Sequence, residues 1–510
     1  MNRTASRRHF LKSLGAAGVA AGLGPNAAFA ADPPAVKTHY DLVVAGIGSG
    51  GFGAALAGAR MGLDVLLLEK ADRIGGTAVA SGVTMWEPGV GGTGFSLEIY
   101  RRLKAVRDAV AVYSFGRHMS WSGIDAWPGS ECLPDPARGY ADTLQRHRPG
   151  PEKTDAAYRK EHWHGVIFEP DVYEKVLRAL LEETGRCALL TGASFAGVTF
   201  RDGRIAEMTL DNGAKVTADA FVDGTGGGAL CRACGCEMMF GQEEKGKFSE
   251  PSAPEKADDR VNGVTLIFRI APVADAGIEP LPVGVPEQCW CGEFGRRSAT
   301  RYPNGDYNCN MLPTMEGREF MKLGHAAAHA ECQRRVAAYW HYVQGRWPEL
   351  QGYRRCWTAP ALGVRETSRV RGEYVLTEHD LIAGLSKQTH ADIITIADHS
   401  MDRHGAGGGG REMGEPYGVP YRCLVPRGCK NLLIACRGAS FSSLAASSCR
   451  LSRTIMQLGQ AAGTAVALAR QSGCSLPDVS PERLREELRR QHVQLGHPLT
   501  AELARQLTEM

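Results

Sequence analysis

The sequence predicts an α/β fold: a parallel sheet with helices and a β-meander, assembled from separated segments, beside a second α+β domain. Three stretches carry that expectation. "YDLVVAGIGSGGFGAALAGARMGLDVLLLE" reads as strand, glycine turn, alanine-rich helix and second strand. "CALLTGASFAGVTFRDGRIAEMTLDNGAKVTADAFVDGTGGG" (Cys187–Gly228) reads as successive strands, with Asp202-Gly203 and Asn212-Gly213 as hairpin turns. "NLLIACRGASF" (Asn431–Phe441) is a further buried strand, and the helix after it is rich in small residues.

The first stretch is the most informative. Tyr40–Ala45 is apolar and β-branched, as a strand covered on both faces requires. Gly46, Gly48 and Gly51 then spell G-x-G-x-x-G. Gly46 permits the tight turn, Gly48 lets a diphosphate approach the backbone, and Gly51 lets the helix pack on the strand. The phosphates would meet free N–H groups at the positive end of the helix. Glu69 ends the second strand 23 residues after Gly46, the spacing of a carboxylate that bonds a ribose hydroxyl. An acid there repels a 2′-phosphate, which leaves FAD or NAD. A second glycine turn, Gly75-Gly76-Thr77, offers further donors to phosphate or ribityl oxygens.

The N-terminus chooses between those two nucleotides. "SRRHFLK" (Ser6–Lys12) is a twin-arginine pattern, followed by the short apolar "LGAAGVAAGL" and by Ala28-Phe29-Ala30 as a cleavage site. The apolar stretch is too short to span a bilayer, so residues 1–30 read as a removable export signal and the expected location is periplasmic or extracellular. An exported enzyme has no nicotinamide pool, whereas a tightly held flavin travels with the folded protein. FAD is therefore the expected cofactor. Loss of Arg3, Arg7, Arg8 and Lys12 turns the formal charge from +3 to −1, which gives no electrostatic case for nucleic acid or an anionic membrane. Fifteen cysteines is an odd number, and their scatter is unlike a disulfide scaffold.

Along the rest of the chain, residues 31–236 form the first part of the nucleotide-binding domain, with an irregular cover segment at about 110–165. Within it, Pro170–Gly185 has helical spacing and a glycine stop. Residues 237–415 differ in composition, hold the long helical stretch "MEGREFMKLGHAAAHAECQRRVAAYWHYV", and read as a substrate-side or cap domain. Residues 416–475 return to the first domain. Residues 476–510 end the chain with a helix that Ser480 caps and Pro481 starts.

Four stretches, "DLVVAGIGSGGFGAALAGARMGLDVLLLEK", "ADAFVDGTGGG", "GVRETSRVRGEYVLTEHDL" and "NLLIACRGASFSSLAASSCRLSRTIMQLGQAAGTAVALA", resemble the FAD-dependent oxidoreductase family with the glutathione-reductase-type flavin fold. The resemblance is to the branch of heterodisulfide reductase A-like proteins. It implies a bipartite FAD site. Gly46, Gly48, Ser49, Gly50 and Gly51 would hold the diphosphate, and Glu69 and Lys70 would lie by the adenosine ribose. Gly76 and Thr77 would meet the diphosphate or ribityl chain, and Thr225 and Gly226 would close the nucleotide side. Arg437, Gly459, Gln460 and Ala461 would approach the ribityl and ring, with a helix N-terminus near Gly459. Relatives often place an acid after the D-x-T-G strand, where this chain has only Gly226–Gly228.

Flavin oxidation of an alcohol needs a base near the carbon that loses hydride, and a cation to steady the alkoxide. His399 or His404 is the candidate base and Arg365 the candidate cation, with structural ion pairing among Arg365, Glu366 and Arg369 as the competing role. The expected substrate is a small organic molecule with an alcohol carbon, sugar-like molecules included, and the electron acceptor is left open among quinone, cytochrome and oxygen. Carbon–carbon desaturation or reduction is the alternative reaction, and a flavin/iron–sulfur electron-transfer protein the alternative class. Some relatives carry a 4Fe-4S cluster, for which Cys231-x-x-Cys234-x-Cys236 and Cys289-x-Cys291 are the candidates here; the usual run of four close cysteines is absent, and buried structural roles are favoured. Asp398, His399, Asp402 and His404 match no metal motif, so no metal ligand is assigned.

Overall fold

The chain folds around a parallel sheet. β1 (His39–Ala45) leads into α1 (Ser49–Arg60) and β2 (Val65–Glu69); α2 (Pro170–Glu182) then returns the chain to β3 (Cys187–Thr191). β4 (Phe195–Arg201), β5 (Arg204–Leu210) and β6 (Lys215–Asp223) follow. The computed structural model describes residues 36–114, 131–147, 158, 161–287, 299–310, 313–404 and 410–508. The strand order is β3-β2-β1-β6-β5-β4, and β7 (Leu432–Ile434) pairs with the far end of β6. β1, β2, β3, β6 and β7 run parallel, whereas β4, β5 and the start of β6 form an antiparallel meander. Asp202 (φ 53°) and Gly203 (φ 77°) make the meander's first turn, the left-handed pair expected of Asp-Gly.

Burial explains the parallel strands. Leu42, Val43 and Val44 in β1, and Val65 through Leu67 in β2, have no exposed surface, because helices cover the sheet. On α1 lies α3 (Ser452–Ser472), and here small residues decide the geometry. A Cβ at Gly459 would stand 1.9 Å from the Gly50 carbonyl oxygen, and one at Gly463 would stand 2.1 Å from that of Ala54. The two helix backbones therefore touch. This corrects the expectation for Gly459, Gln460 and Ala461: they lie inside α3, not at a helix N-terminus. Gly459 is spent on helix contact, Ala461 is fully buried, and the Gln460 amide donates to Gln491 at 3.0 Å.

A second, eight-stranded sheet has the order Tyr353–Thr358, Phe268–Pro272, Tyr307–Cys309, Ala299–Arg301, Glu131–Pro134, Val110–Ser114, His164–Phe168, Met85–Trp86. The stretch expected to be irregular thus supplies strands to it, and chain segments before and after the parallel sheet's β6 share it. The helix Gly317–Arg346, kinked at Gly324 (φ 73°), packs Tyr339 and Trp340 on Phe268. Among the described residues no helix is long and apolar enough to cross a membrane. The export signal and the pair Cys289/Cys291 lie outside the described residues.

Candidate functional site

The glycine motif divides by role. β1 ends at Ala45, and Gly46 turns the chain with φ 86°, its Cα side pressed on Gly224 and Thr225. A Cβ at Gly50 would meet the Ala435 oxygen at 1.7 Å, and one at Gly51 the Gly46 oxygen at 1.9 Å. These three glycines shape the turn. Gly48 is different: a Cβ there would find only the Cα of Gly76, at 4.0 Å. Gly48 is also the N-cap of α1, and no side chain caps that helix. The positive end of α1, headed by Ser49, therefore opens on a gap floored by Gly48 and by Gly76 (φ 55°), with Thr77 beginning the next helical turn.

Two carboxylates brace this gap. Glu69 accepts from the N–H of Ile47 at 2.7 Å and of Ala71 at 3.0 Å, while Lys70 beside it is exposed. Asp223 is fully buried and accepts from the N–H and hydroxyl of Thr225 (2.9 and 2.7 Å) and from the N–H of Cys231 (2.9 Å). It thereby fixes the Gly224–Gly228 turn. Arg437 lies over Gly226, its guanidinium 3.0 Å from where a Cβ would be, and its buried Nε has no hydrogen-bond partner among the described residues. Burial and then the Arg450 charge lower the Arg437 pKa, and burial with Lys70 and Arg437 does the same to His325. A cationic lining with an unmet donor, beside an uncapped helix start and a backbone gap, suits a diphosphate. The residues present fit a dinucleotide.

The catalytic candidates gather further along. His404 Nε2 lies 2.5 Å from Asp402 Oδ2, and Arg450 donates to the same oxygen at 3.1 Å. Arg365 donates to Thr265 Oγ1 at 2.7 Å and to the Gly263 carbonyl at 3.1 Å, and no carboxylate pairs with it among the described residues. Gly263 in turn donates to the His404 carbonyl at 2.8 Å, and Asn262 Oδ1 accepts from the His404 N–H at 2.8 Å, so one backbone turn positions both side chains. His399 is buried, with Nε2 3.3 Å from Glu87 and no hydrogen-bond partner for Nδ1 among the described residues. Burial, then the Arg365 charge, lowers His404 to about 4 against the pull of Asp402. Burial, then Arg450, lowers Arg365 to about 10. At neutral pH the pair is an uncharged imidazole beside a cation.

The competing structural role holds for Glu366 and Arg369, without Arg365. Arg369 is fully buried, pairs with Glu366 and, at 2.7 Å, with Glu243, and donates to the carbonyls of Phe441 and Gly241. Glu366 also holds Asn262, at 3.0 and 2.7 Å, and so supports the turn beneath His404. Glu87 and Arg450 escaped the sequence reading because they lie on segments remote from the histidines. No group of three potential metal ligands is found among the described residues.

An uncapped helix over paired glycines, on a parallel sheet with a meander, is a dinucleotide-binding arrangement. Residues 41–488 match the family described as FAD dependent oxidoreductase, and the chain belongs to that family. Short stretches are similar to curated enzymes: 47% identity over 52 residues to 3-oxosteroid 1-dehydrogenase of Rhodococcus opacus, and 46% over 50 residues to 4-oxocyclohexanecarboxylate 2-dehydrogenase of Sinomonas cyclohexanicum. These cover 10% of this chain in each case, and 10% and 9% of the two relatives. A geranylgeranyl bacteriochlorophyll reductase-like protein of Thermoplasma acidophilum aligns with a TM-score of 0.41 at 12% identity, over 92% of this chain and 95% of its own.

Proposed function

We propose that this enzyme holds FAD between the α1 cradle and the Arg437 lining, and oxidises an alcohol carbon of a small polar molecule. Gly48, Ser49, Gly76 and Thr77 hold the diphosphate on the turn that Gly46 shapes, Glu69 holds the ribose, Thr225 and Gly226 close the nucleotide side, and Arg437 lies toward the reacting ring. Bound FAD supplies the hydride acceptor. The observation that carries the reading is the Asp402–His404 pair sharing the Gly263 turn with Arg365.

In that arrangement His404 takes the hydroxyl proton, Asp402 orients its ring, and Arg365 steadies the oxygen that becomes negative as hydride leaves carbon. His399 and Glu87 line the same space. The pH profile follows. The value of kcat/KM falls as pH drops through about 4, where His404 gains its proton, and again as pH rises through about 10, where Arg365 loses its own. A profile that stays flat to about pH 3 would remove His404 from the role.

The test of reaction type is anaerobic bleaching of the flavin by a panel of alcohols, sugars, ring ketones and unsaturated acids. Bleaching by alcohols or sugars is the expected result. Bleaching by ring ketones alone would replace the reading with desaturation beside a carbonyl, the reaction class that the names of the two dehydrogenase relatives suggest. Export is part of the proposal, and Ser6–Lys12 with Ala28-Phe29-Ala30 supports it. Expression with its leader should yield an extracytoplasmic protein that begins at Ala31; an intact leader on cytoplasmic protein would contradict this.

A further inference from the structure

We propose that Cys236 and Cys429 form a reversible dithiol–disulfide couple, exchanging with low-molecular-weight aliphatic disulfides, at the neck of the segment 237–428. The neck is set by the sheet. β6 and β7 are parallel neighbours joined by a crossover, with Phe221 opposite Leu432 and Asp223 opposite Ile434, so the exit and the return of the chain lie only that short pairing apart. Cys236 follows the short helix Ala229–Ala233 that leaves β6, and Cys429 stands just before β7. Their sulfurs are in contact at 3.5 Å although 193 residues separate them in the chain. Both cysteines follow a glycine of positive φ, Gly235 (76°) and Gly428 (77°), with nothing within 4 Å of where a Cβ would stand.

The two thiols have unequal surroundings. Cys236 is half-buried, and its sulfur receives hydrogen bonds from the thiols of Cys231 and Cys429, which hold it well below the usual thiol range. Cys429 is 2% exposed, and its bond to Cys236 and its burial push it up. An accessible thiolate beside a buried partner is the arrangement of an attacking and a resolving cysteine. Cys231 is fully buried beneath this pair.

The exchange balances without another oxidant. Cys236 Sγ attacks one sulfur of the small disulfide and the other sulfur leaves as a thiolate. Cys429 gives its proton to solvent and attacks Cys236 Sγ, expelling the second thiolate. The protein dithiol is oxidised by two electrons, and one small disulfide is reduced to two thiols. Closure would covalently join the two ends of the segment that carries Arg365, Asp402 and His404. It would add to the existing non-covalent ties there, Met238–Met239 paired with Arg369–Val370.

The test is incubation of the purified, flavin-loaded full chain with oxidised glutathione, acid quench, alkylation of free thiols and tryptic peptide mapping. The sequence places Cys234 and Cys236 on Ala233–Lys245, Cys231 on the peptide ending at Arg232, and Cys429 on Gly428–Lys430. The expected product joins Cys236 to Cys429, preceded by glutathione on Cys236 alone and reversed by dithiothreitol. Cys429→Ser should stop at the glutathione adduct, and Cys236→Ser should leave Cys429 alkylatable. A link from Cys236 to Cys231 or Cys234 would overturn the proposal, as would a stable adduct on Cys236 in the unmodified chain or no reaction at either cysteine. The time course in the unmodified chain stands even where a variant fails to fold.

Discussion

Gly48→Val yields a folded protein that no longer retains flavin. At position 48 the backbone is extended (φ −79°, ψ −168°), which valine adopts readily, and the added carbon meets nothing nearer than the Gly76 Cα at 4.0 Å. The fold therefore has room for the added Cβ. The diphosphate does not, because the branched carbons stand where it must approach the α1 amides. FAD affinity should fall at least about a hundredfold, equivalent to about 2.8 kcal/mol, with an unchanged far-ultraviolet circular dichroism spectrum. Gly459→Val is the contrast. Its Cβ would stand 1.9 Å from the Gly50 oxygen, so the α1–α3 contact must part, and loss of soluble protein is expected. Equal damage from the two substitutions would show that Gly48 serves packing and not a ligand.

His404→Gln should slow anaerobic flavin reduction by about 10²- to 10⁴-fold, the usual worth of a general base, while leaving flavin content unchanged. The substitution leaves the backbone bonds to Asn262 and Gly263 in place, so the turn survives without the base. Asp402→Asn keeps the imidazole but removes the charge that partly offsets its burial. The acid limb of the profile should then move to lower pH, together with a smaller loss of rate. The same substitution at His399 should cost less, because His399 pairs with Glu87 at 3.3 Å, whereas the bonds to Gly263 and Asn262 are made by His404. A larger loss at His399 than at His404 would exchange their roles.

What the sequence made legible follows from how local each signal is. The β1–α1–β2 unit, the Asp202-Gly203 turn and the Ser480 cap depend on neighbouring residues, and all are found. Ser480 accepts from the Arg483 N–H at 3.3 Å, and Pro481 is the first residue of its helix. The role of Gly459 was not local. A glycine in a helix signals close approach, and the sequence could not say whether a ligand or a second helix approaches. Here the second helix does. The eight-stranded sheet was hidden for a similar reason, since its strands are short and come from segments far apart, such as Ala299–Arg301 beside Glu131–Pro134. At the site, His399, His404 and Arg365 were visible as polar residues in glycine-rich or charged stretches, and Asp402 stands two residues before His404, but Glu87 and Arg450 meet them only in three dimensions.

The most direct measurement is the identity and amount of flavin released on denaturing the purified full chain, before and after incubation with FAD. FAD is expected, at one molecule per chain, retained by the unmodified protein and lost from Gly48→Val. A chain that stays colourless after that incubation, or that retains FMN in place of FAD, would contradict it.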